Sequence, residues 1–364
     1  MKTIVVTGGA GFIGSNFVRM ILSGMGSRVV VFDKLTYAGS LLNLRSIDDH
    51  PCYTFVCGDI ADRDAVKAVI ERWQPDAIIN FAAETHVDRS IDGPRSFVRT
   101  NVDGTFELLE AARQYWMRLG MEARDRFRFL HVSTDEVFGS LGDVGSFHED
   151  TAYAPNSPYS ASKASSDHFA RAYFQTYGLP VLITNCSNNY GHFQFPEKLI
   201  PLTILNAAAG RDLPIYGDGS NVRDWLFVDD HCAGIVAVLK RGRIGASYNI
   251  GGKSERTNLE VITEVSTALD ALLPSTLNPG LIARGLTNYS ELKTFVPDRP
   301  GHDQRYAIDC SRIERELGWV PRMSFSAGVR ATVKWYLANL DWCDRVQHGV
   351  HKGQRLGLSL VAEG

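Results

Sequence analysis

A short apolar strand that runs directly into a glycine-rich turn and then into a helix constrains the fold of this chain most strongly. Residues 3–7 are apolar or β-branched, and Gly8, Gly11 and Gly14 follow them as G-x-x-G-x-x-G before an apolar helical segment. Glycines there let the backbone approach a pyrophosphate, whose negative charge then lies at a helix N-terminus. The spacing alone is weak evidence in a chain with 33 glycines, but the flanking strand and helix favour a dinucleotide site.

Strand and helix patterns alternate through the first half of the chain. Short, nearly continuous apolar runs predict strands at 3–7, 29–33, 53–56, 77–82, 127–134 and 181–186, with later strands at 225–228 and 248–250. Helical periodicity predicts helices at about 12–25, 62–73, 101–119, 158–177 and 325–339. Strands of this kind are typical of a parallel sheet covered by helices on both faces. The sequence therefore predicts an α/β fold with a Rossmann-type doubly wound parallel sheet.

The composition of the sequence changes after Ser187, where glycine and proline become more frequent. This change predicts a smaller, loop-rich α/β C-terminal domain that covers the open face of the sheet. We expect a dinucleotide-binding domain over 1–187, a substrate-binding domain over 188–340 and a tail over 341–364. The segments expected to rejoin the first domain lie near 225–250 and 308–320.

Composition excludes several classes of protein. The 364-residue chain has 38 Lys and Arg against 41 Asp and Glu, so it lacks the positive charge of a nucleic-acid binder. No apolar run approaches the roughly 18 residues of a membrane span, and glycines interrupt the first apolar run too early for a signal peptide. Six scattered cysteines predict reduced thiols, with no disulfide framework and no metal site. We therefore expect a cytoplasmic protein.

The end of the second predicted strand indicates which dinucleotide binds. Asp33 follows Gly14 by about 20 residues, where an acidic side chain binds the ribose hydroxyls of the adenosine. Because such a side chain repels a 2′-phosphate, NAD is favoured over NADP. Asp59 and Ile60, after the third strand, suit the adenine, and residues 81–83, after the fourth, suit the pyrophosphate.

Two groups of reactive side chains follow the later strands. Tyr159 and Lys163 are four residues apart on a predicted helix, so they share one face, and a nearby ammonium lowers the pKa of a phenol. Thr134, Asp135 and Glu136 end the fifth strand, and two carboxyl groups in different environments can divide into proton donor and proton acceptor. A capping or surface pair is the alternative interpretation of the two acids.

The chain contains a second Tyr-x-x-x-Lys pair, Tyr289 and Lys293. It lies in a region rich in proline and glycine, away from any strand end that could hold a nicotinamide. We interpret this second pair as a chance occurrence, a solvated pair on the surface. Tyr159 instead begins its helix after a loop at the carboxyl edge of the sheet, where ligands of such folds bind.

Longer motifs make the chain resemble a known family. The opening VTGGAGFIGSNFVR, the run AAETHVDRSI at 82–91 and YSASK at 159–163 resemble the extended short-chain dehydrogenases/reductases that act on nucleotide sugars. The Thr-Asp-Glu triplet at 134–136 narrows the resemblance to the dTDP-glucose 4,6-dehydratases, because epimerases of this superfamily lack the acid pair. The segments that agree further along the chain are NCSNNYG at 185–191, FPEKLIP at 195–201, RDW at 223–225 and DRPGHDQRY at 298–306.

The resemblance implies a three-step reaction on dTDP-glucose that returns tightly bound NAD+ unchanged. Tyr159, assisted by Thr134 and Lys163, would take the proton of the sugar 4-hydroxyl while the C4 hydride passes to NAD+. Glu136 would then remove the C5 proton while Asp135 protonates the departing 6-hydroxyl. Return of the hydride to C6 would give dTDP-4-keto-6-deoxyglucose and water. The alternatives are a dehydratase of CDP- or UDP-glucose, a nucleotide-sugar 4-epimerase and a catalytically inactive NAD-binding regulator.

The resemblance also implies two sets of binding residues and a homodimer. With the glycines of the turn, the cofactor set is Gly8, Gly11, Phe12, Ile13, Gly14, Asp33, Lys34, Leu35, Thr36, Asp59, Ile60, Phe81, Ala82, Ala83, Glu84, Thr85, Thr100, Tyr159, Lys163 and Asn189. The substrate set is Thr85, Thr134, Asn188, Glu197, Lys198, Leu199, Pro214, Ile215, Tyr216, Arg223, Asn258, Asp298, Arg299, Pro300, Gly301 and His302. Tyr216 would stack on thymine, and Arg223 and Lys198 would contact the diphosphate. The homodimer would form through the helices near 101–119 and 158–177.

Overall fold

A central sheet of seven parallel strands organises the chain in the computed structural model, which describes residues 2–24, 26–298 and 303–347. The strands of the chain are β1 (Thr3–Thr7), β2 (Arg28–Asp33), β3 (Tyr53–Cys57), β4 (Ala77–Asn80), β5 (Arg128–Thr134), β6 (Val181–Cys186), β7 (Asn188–Tyr190), β8 (Leu213–Tyr216), β9 (Val222–Phe227), β10 (Ser247–Ile250), β11 (Glu255–Thr257) and β12 (Lys293–Val296). The central sheet has the order β10-β6-β5-β4-β1-β2-β3, with every pairing parallel. This order confirms the predicted doubly wound parallel sheet.

Consecutive residues of the central strands pack into different apolar layers. Ile4 and Val6 belong to one buried cluster, whereas Val5 belongs to another together with Val30 and Phe32. Successive side chains of a strand point to opposite faces, so both faces of the sheet are covered. This two-sided burial explains why the strands are nearly continuous apolar runs in the sequence.

Helices cover both faces of the sheet and build the rest of the chain. They are α1 (Phe12–Gly24), α2 (Arg63–Trp73), α3 (Val87–Asp92), α4 (Pro94–Phe97), α5 (Gly104–Arg118), α6 (Met121–Arg126), α7 (Pro158–Tyr177), α8 (Leu199–Ala208), α9 (Val228–Arg241), α10 (Asn258–Leu272), α11 (Pro279–Arg284), α12 (Ser311–Leu317), α13 (Phe325–Ala338) and α14 (Leu340–Gln347). A π-helical turn, Val98–Asp103, precedes α5. A Ser157–Ser160 capping box begins α7, and Gly178 ends it with a φ of 72°. The five predicted helices are confirmed, within a few residues at their ends.

Two smaller sheets accompany the central one. Strands β7, β9 and β11 form a three-stranded sheet, and β8 pairs with β12. Of the two later strands predicted from the sequence, 248–250 lies in β10, at the edge of the central sheet. The strand predicted at 225–228 lies in β9 and pairs instead with β7, with Trp225 opposite Asn188. The division into two domains near Ser187 stays a prediction.

The final described helix, α14, lies where the sequence shows no periodic pattern. Trp342 and Cys343 are buried there, and the Trp342 indole donates a hydrogen bond to Asn43 Oδ1 at 3.0 Å. Contacts with a residue about 300 positions earlier hold this helix, so its own sequence carries little signal for it. Within the described ranges, no helix is both long and apolar enough to cross a membrane.

Candidate active site

A continuous cleft lies along the carboxyl edge of the central sheet, around the point where the strand order reverses between β1 and β4. Counted with its open mouth, it has an empty volume of about 1540 Å³. The turns that follow β1 to β6 line it, together with the start of α7 and residues 194–198. This is the position where open α/β sheets bind their ligands.

The glycine-rich turn after β1 is packed so closely that larger residues do not fit. Gly8 has a φ of +66°, and a Cβ there would lie 2.6 Å from the amide nitrogen of Ala82. A Cβ on Gly14 would lie 2.3 Å from the carbonyl oxygen of Gly8. The N-terminus of α1 therefore faces the cleft across a turn of bare backbone, which suits a pyrophosphate.

Asp33, at the end of β2, is hydrogen-bonded to this turn. Its carboxylate accepts hydrogen bonds from the amide nitrogens of Ala10 at 2.9 Å and Leu35 at 2.8 Å. Burial raises the pKa of Asp33, and these two hydrogen bonds oppose that shift. Asp33 lines the cleft, but the neighbouring Leu35, which the sequence also predicts as a cofactor contact, is not among the lining residues.

Charged side chains surround the end of the cleft near Asp59 and Thr100. The Lys34 ammonium donates a hydrogen bond to Thr100 Oγ1 at 3.0 Å and lies 3.6 Å from Asp59 Oδ2. Asp59 is also 3.9 Å from Arg99. These contacts bring residues from β2, the turn after β3 and the π-helical turn to the end predicted for the adenosine.

The two groups of reactive side chains meet in the middle of the cleft. Tyr159 lies in the first turn of α7, and the Thr134 side chain at the end of β5 opposes the upward shift of the pKa of its phenol. Thr134 also caps the short 3-10 helix Asp135–Phe138 by accepting a hydrogen bond from the Glu136 amide at 3.3 Å. The Lys163 ammonium lies one turn further along α7 and donates to the carbonyl oxygen of Val132 at 2.8 Å.

The electrostatics of Tyr159 differ from the sequence-based expectation. The pKa of its phenol is raised well above the ordinary value, first by burial and then by the negative charge of Glu136. The expectation of a lowered pKa is therefore wrong for the chain alone, because burial is the largest cause of the shift and burial raises the pKa. Lys163 is itself buried, and its ammonium points to the Val132 carbonyl.

Asp135 and Glu136 occupy different environments, although they are adjacent in sequence. Asp135 is only 2% exposed, and burial, followed by the charges of Glu136 and Asp224, raises its pKa well above the ordinary value. Its Oδ2 atom has no hydrogen-bond partner among the described residues. Glu136 is less buried and also lines the cleft. The pair therefore lies in the cleft, and the alternative of a surface pair is wrong.

The predicted substrate residues fall into two spatial groups. Thr85, Thr134, Asn188, Glu197 and Lys198 line the cleft. Within this group, Glu197 accepts a hydrogen bond from the Arg89 guanidinium at 3.0 Å, and the Lys198 ammonium donates to the Thr85 carbonyl oxygen at 3.3 Å.

The second group lies outside the cleft lining and consists of Leu199, Pro214, Ile215, Tyr216, Arg223, Asn258 and Asp298. Residues 299–302, which include the predicted Arg299, Pro300, Gly301 and His302, lie outside the described residues. Arg223 is buried, lies 4.3 Å from the centre of the Tyr306 ring and donates to the Asp303 carbonyl oxygen at 2.9 Å. Its positive charge lowers the pKa of Asp135, so it acts on the acid pair from β9.

Comparison with known proteins decides the family. The family model described as GDP-mannose 4,6 dehydratase matches residues 5–332. A dTDP-glucose 4,6-dehydratase from Xanthomonas campestris pv. campestris is 55% identical over 360 residues, which cover 99% of this chain and 100% of that protein. The chain belongs to the dTDP-glucose 4,6-dehydratase family.

Solved dehydratases and solved epimerases resemble this chain almost equally in fold, but the dTDP-glucose 4,6-dehydratases are more similar to it in sequence. DesIV, a dTDP-glucose 4,6-dehydratase from Streptomyces venezuelae solved with NAD and TYD bound, matches with a TM-score of 0.84 and 47% identity over 94% of this chain and 99% of DesIV. A UDP-glucose 4-epimerase from Thermotoga maritima matches with a TM-score of 0.80, but with 25% identity, over 93% of this chain and 99% of the epimerase. The fold is thus shared by dehydratases and epimerases, so the site must carry the argument for the reaction.

Several residues that line the cleft of this dehydratase-family chain are absent from the sets expected from the sequence. They are Phe32, Ala38, Gly39, Gly58, Val132, Ser133, Cys186, Ser187, Gln194 and Phe195. Most flank a predicted site residue at the carboxyl end of a strand, and that position was the available signal. Gln194 and Phe195 follow no central strand, and only the path of the loop before α8 brings them to the cleft.

The second Tyr-x-x-x-Lys pair has a structural environment unlike that of Tyr159. Tyr289 is fully buried, and its hydroxyl donates to the Leu273 carbonyl oxygen at 2.8 Å. Lys293 donates to Thr263 Oγ1 at 2.8 Å. Neither residue lines the cleft of this dehydratase-family chain. The interpretation as a solvated surface pair is therefore wrong for Tyr289, which packs in the core around α10.

Proposed function

We propose that this chain catalyses the 4,6-dehydration of dTDP-glucose, giving dTDP-4-keto-6-deoxyglucose and water and returning NAD+ unchanged. One observation carries the proposal. A buried carboxyl, Asp135, and a less buried one, Glu136, lie in the same cleft as a phenol, Tyr159, and an ammonium, Lys163. Oxidation of an alcohol needs only the phenol and the ammonium, whereas elimination of water needs a separate proton donor and proton acceptor.

The residues around the cleft fit a dinucleotide. The turn at 8–14 leaves no space for a Cβ on Gly8 or Gly14, so its backbone can cradle a pyrophosphate. Asp33, Lys34 and Asp59 line the end of the cleft that would hold the adenosine. Bound NAD+ supplies the acceptor and donor of the hydride and a positive charge near the phenol.

Tyr159 is proposed as the base of the oxidation step. Its phenol would take the proton of the sugar 4-hydroxyl, and the Thr134 hydroxyl, which lines the same cleft, would orient that sugar oxygen. Because burial and Glu136 keep the phenol protonated in the chain alone, positive charge in the filled cleft is needed before Tyr159 can act. Lys163 contributes part of that charge from the floor of the cleft.

Asp135 and Glu136 are proposed as the acid and base of the elimination step. The raised pKa of Asp135 favours the protonated form of its carboxyl, which suits it to give a proton to the departing 6-hydroxyl. Glu136 would accept the C5 proton, which the 4-ketone makes acidic. The order of the two residues follows from their burial, because the more buried carboxyl is the one that holds its proton.

Three residues, Lys198, Tyr216 and Arg223, are proposed to recognise the nucleotide. Lys198, beside Thr85, and Arg223, beside Asp135, are proposed to contact the diphosphate, and Tyr216 is proposed to stack on thymine. Substrate binding would then replace some of the contacts that Arg223 makes with backbone carbonyls.

A homodimer and a cytoplasmic location complete the proposal. Phe106 on α5 and Phe169 on α7 are 37% and 38% exposed, and their rings meet edge to face at 6.0 Å. Such an exposed aromatic pair on two adjacent helices supports association of two copies through α5 and α7. Six free thiols, four of them buried, support a reducing compartment.

The deciding experiment supplies dTDP-glucose deuterated at C4 to the protein with its bound NAD+ and no added reductant. We expect a 4-keto-6-deoxy product that carries the deuterium at C6. A product with inverted configuration at C4 would instead identify an epimerase, and tight NAD binding without turnover would identify a regulator. A parallel series of UDP-, CDP- and GDP-glucose tests the nucleotide, and the highest kcat/KM is expected with dTDP-glucose.

A further inference from the structure

Beneath Tyr159 and the acid pair lies a set of buried polar groups, of which the proposed reaction uses only Lys163 directly. Asp167, one helical turn after Lys163 on α7, is fully buried. Its Oδ2 accepts hydrogen bonds from Ser133 Oγ at 2.7 Å and Tyr153 Oη at 2.9 Å, and its Oδ1 lies 3.3 Å from His131 Nε2. We call His131, Ser133, Lys163 and Asp167 the catalytic floor. A carboxyl group buried this deeply needs such donors if it is to remain an anion.

The hydrogen bonds of His131 fix which of its nitrogens carries the proton. Asn80 Oδ1 accepts from the Thr7 hydroxyl at 2.6 Å, so the Asn80 amide nitrogen faces His131 Nδ1 at 3.1 Å as a donor. Nδ1 is therefore the acceptor, and Nε2 carries a proton that it donates to Ser166 Oγ at 3.2 Å, with Asp167 Oδ1 also nearby at 3.3 Å. Burial and the charge of Lys163 lower the pKa of His131, which keeps the ring neutral. The hydrogen bonds that Asp167 Oδ2 accepts therefore come from uncharged groups, the hydroxyls of Ser133 and Tyr153 and the amide of Asn185.

Lys163 is the cation on which that charge acts. Its side chain is only 4% exposed, and its ammonium has the Val132 carbonyl as hydrogen-bond acceptor. Burial lowers the pKa of Lys163, whereas the charge of Asp167 raises it. A carbonyl oxygen alone does not compensate a buried ammonium, so a nearby anion is needed to retain its proton.

Asp167 also reaches the strand that carries the acid pair. Ser133, which donates to Asp167, directly precedes Thr134 on β5. The Asn185 amide donates to the Thr134 carbonyl oxygen at 3.1 Å and lies 3.5 Å from Asp167 Oδ2. The Asp167 carboxyl, which lies on the same helix as Tyr159, therefore contacts the end of the strand that leads to Asp135 and Glu136.

We propose that Asp167 is a positioning residue that keeps Lys163 an ammonium at the floor of the cleft and holds α7 in register with the acid-pair end of β5. The proposal rests on the proposed function for its catalytic consequence, but not for the charge coupling between Asp167 and Lys163. Other titratable groups face this pair: His131 and Ser133 lie on β5, Cys186 on β6, and Tyr153 in the loop before α7. Tyr159 lies on α7 itself, and as the proposed base it takes up the proton of the sugar 4-hydroxyl in the same step.

The first test replaces Asp167 by the isosteric asparagine and measures the single-turnover rate of nicotinamide reduction against pH. Removing the anion lowers the pKa of Lys163, so the alkaline limit of this rate should move to lower pH by about one pH unit or more. At pH values above the new limit, the rate of the variant should fall about tenfold for each further increase of one in pH, while KM for dTDP-glucose stays unchanged. Asp230→Asn is the matched control, because Asp230 is a buried helical carboxylate bonded to the amides of Arg322 and Met323. We expect the control to leave the alkaline limit in place.

The second test needs no turnover and remains valid if the first variant is poorly folded or the proposed function is wrong. Tm is measured for the wild type, Asp167→Asn, Lys163→Met and the double variant. The substitution Asp167→Asn should lower the Tm of the wild type by at least about 2 °C more than it lowers the Tm of Lys163→Met. The Lys163→Met background already lacks the cation that Asp167 compensates. Equal losses in both backgrounds would overturn the proposal, as would an unmoved alkaline limit in Asp167→Asn. Absence of dehydration in every form of the protein, with the Tm coupling present, would count against the proposed function alone.

Discussion

The turn at residues 8–14 lines the cleft and the catalytic floor lies at its base, but different contacts hold the two. The turn depends on close backbone packing, both within itself, as the 2.3 Å separation of a Gly14 Cβ from the Gly8 carbonyl shows, and against Ala82 after β4. The floor depends on side chains from β5, α7 and the loop before it, which meet only when the sheet is formed. Shape alone therefore decides which residues the turn accepts, whereas the floor requires matched charges and hydrogen-bond donors.

The largest effect is expected from a substitution in the acid pair, Asp135 and Glu136. Glu136→Gln removes the proposed acceptor of the C5 proton but leaves Tyr159 and Lys163 in place. The rate of dehydration should fall by about 10²- to 10⁴-fold, while reduced nicotinamide still forms in a single turnover. Dehydration at the wild-type rate would show that Glu136 is not the C5 base. Glu122→Gln on α6, an exposed helical glutamate, is the control and should behave as wild type.

The turn should respond to a single added methyl group. In Gly14→Ala the new Cβ meets the Gly8 carbonyl, so the turn must open and the affinity for NAD should fall about 10- to 100-fold. Calorimetric titration of the cofactor-free protein with NAD measures this loss. Gly24→Ala, in the same helix but with no atom within 4 Å of the added Cβ, is the control. Equal affinities for the two variants would mean that the turn is not the pyrophosphate site.

The two Tyr-x-x-x-Lys pairs extend this contrast, because one sequence pattern occurs in two environments. Tyr289→Phe removes a buried hydroxyl bonded to the Leu273 carbonyl and the Asn278 amide. The free energy of unfolding should fall by about 1–3 kcal/mol with turnover unchanged. Denaturant titration measures the loss, and Tyr177→Phe at the half-exposed end of α7 is the control. A loss of turnover in folded Tyr289→Phe protein would contradict a purely structural role.

The smallest effect is expected at Glu110 on α5, whose side chain is partly exposed to solvent. Hydrogen bonds from Arg113, Gln114 and Tyr173 lower the pKa of Glu110 to about 2. A lowered folded-state pKa stabilises the protein above the unfolded value of 4.5, and this stability is lost as pH falls from 4.5 toward 2. Solvent screening keeps the contribution below about 1 kcal/mol. Glu110→Gln should therefore cost little at pH 7 and nothing at pH 2, as measured by denaturant titration. A larger cost at pH 2 than at pH 7 would reverse the assigned sign.

Features that depend on near neighbours along the chain could be predicted from the amino-acid sequence alone. The glycine pattern at 8–14, the acid at the end of β2 and the apolar strands all follow from local geometry or from period, so the doubly wound sheet and its cleft were predictable. The shared face of Tyr159 and Lys163 follows in the same way from the helical repeat.

How those groups are charged and held depends instead on the tertiary structure. Burial is the largest cause of the raised pKa of Tyr159, and burial is set by the whole fold. Asp167 gains its donors from Ser133 and Tyr153, 34 and 14 residues away, and α14 is held by a contact with Asn43. Likewise, β9 pairs with β7 rather than joining the central sheet. Such contacts leave no periodic trace in the sequence, because their energy comes from partners that are distant along the chain.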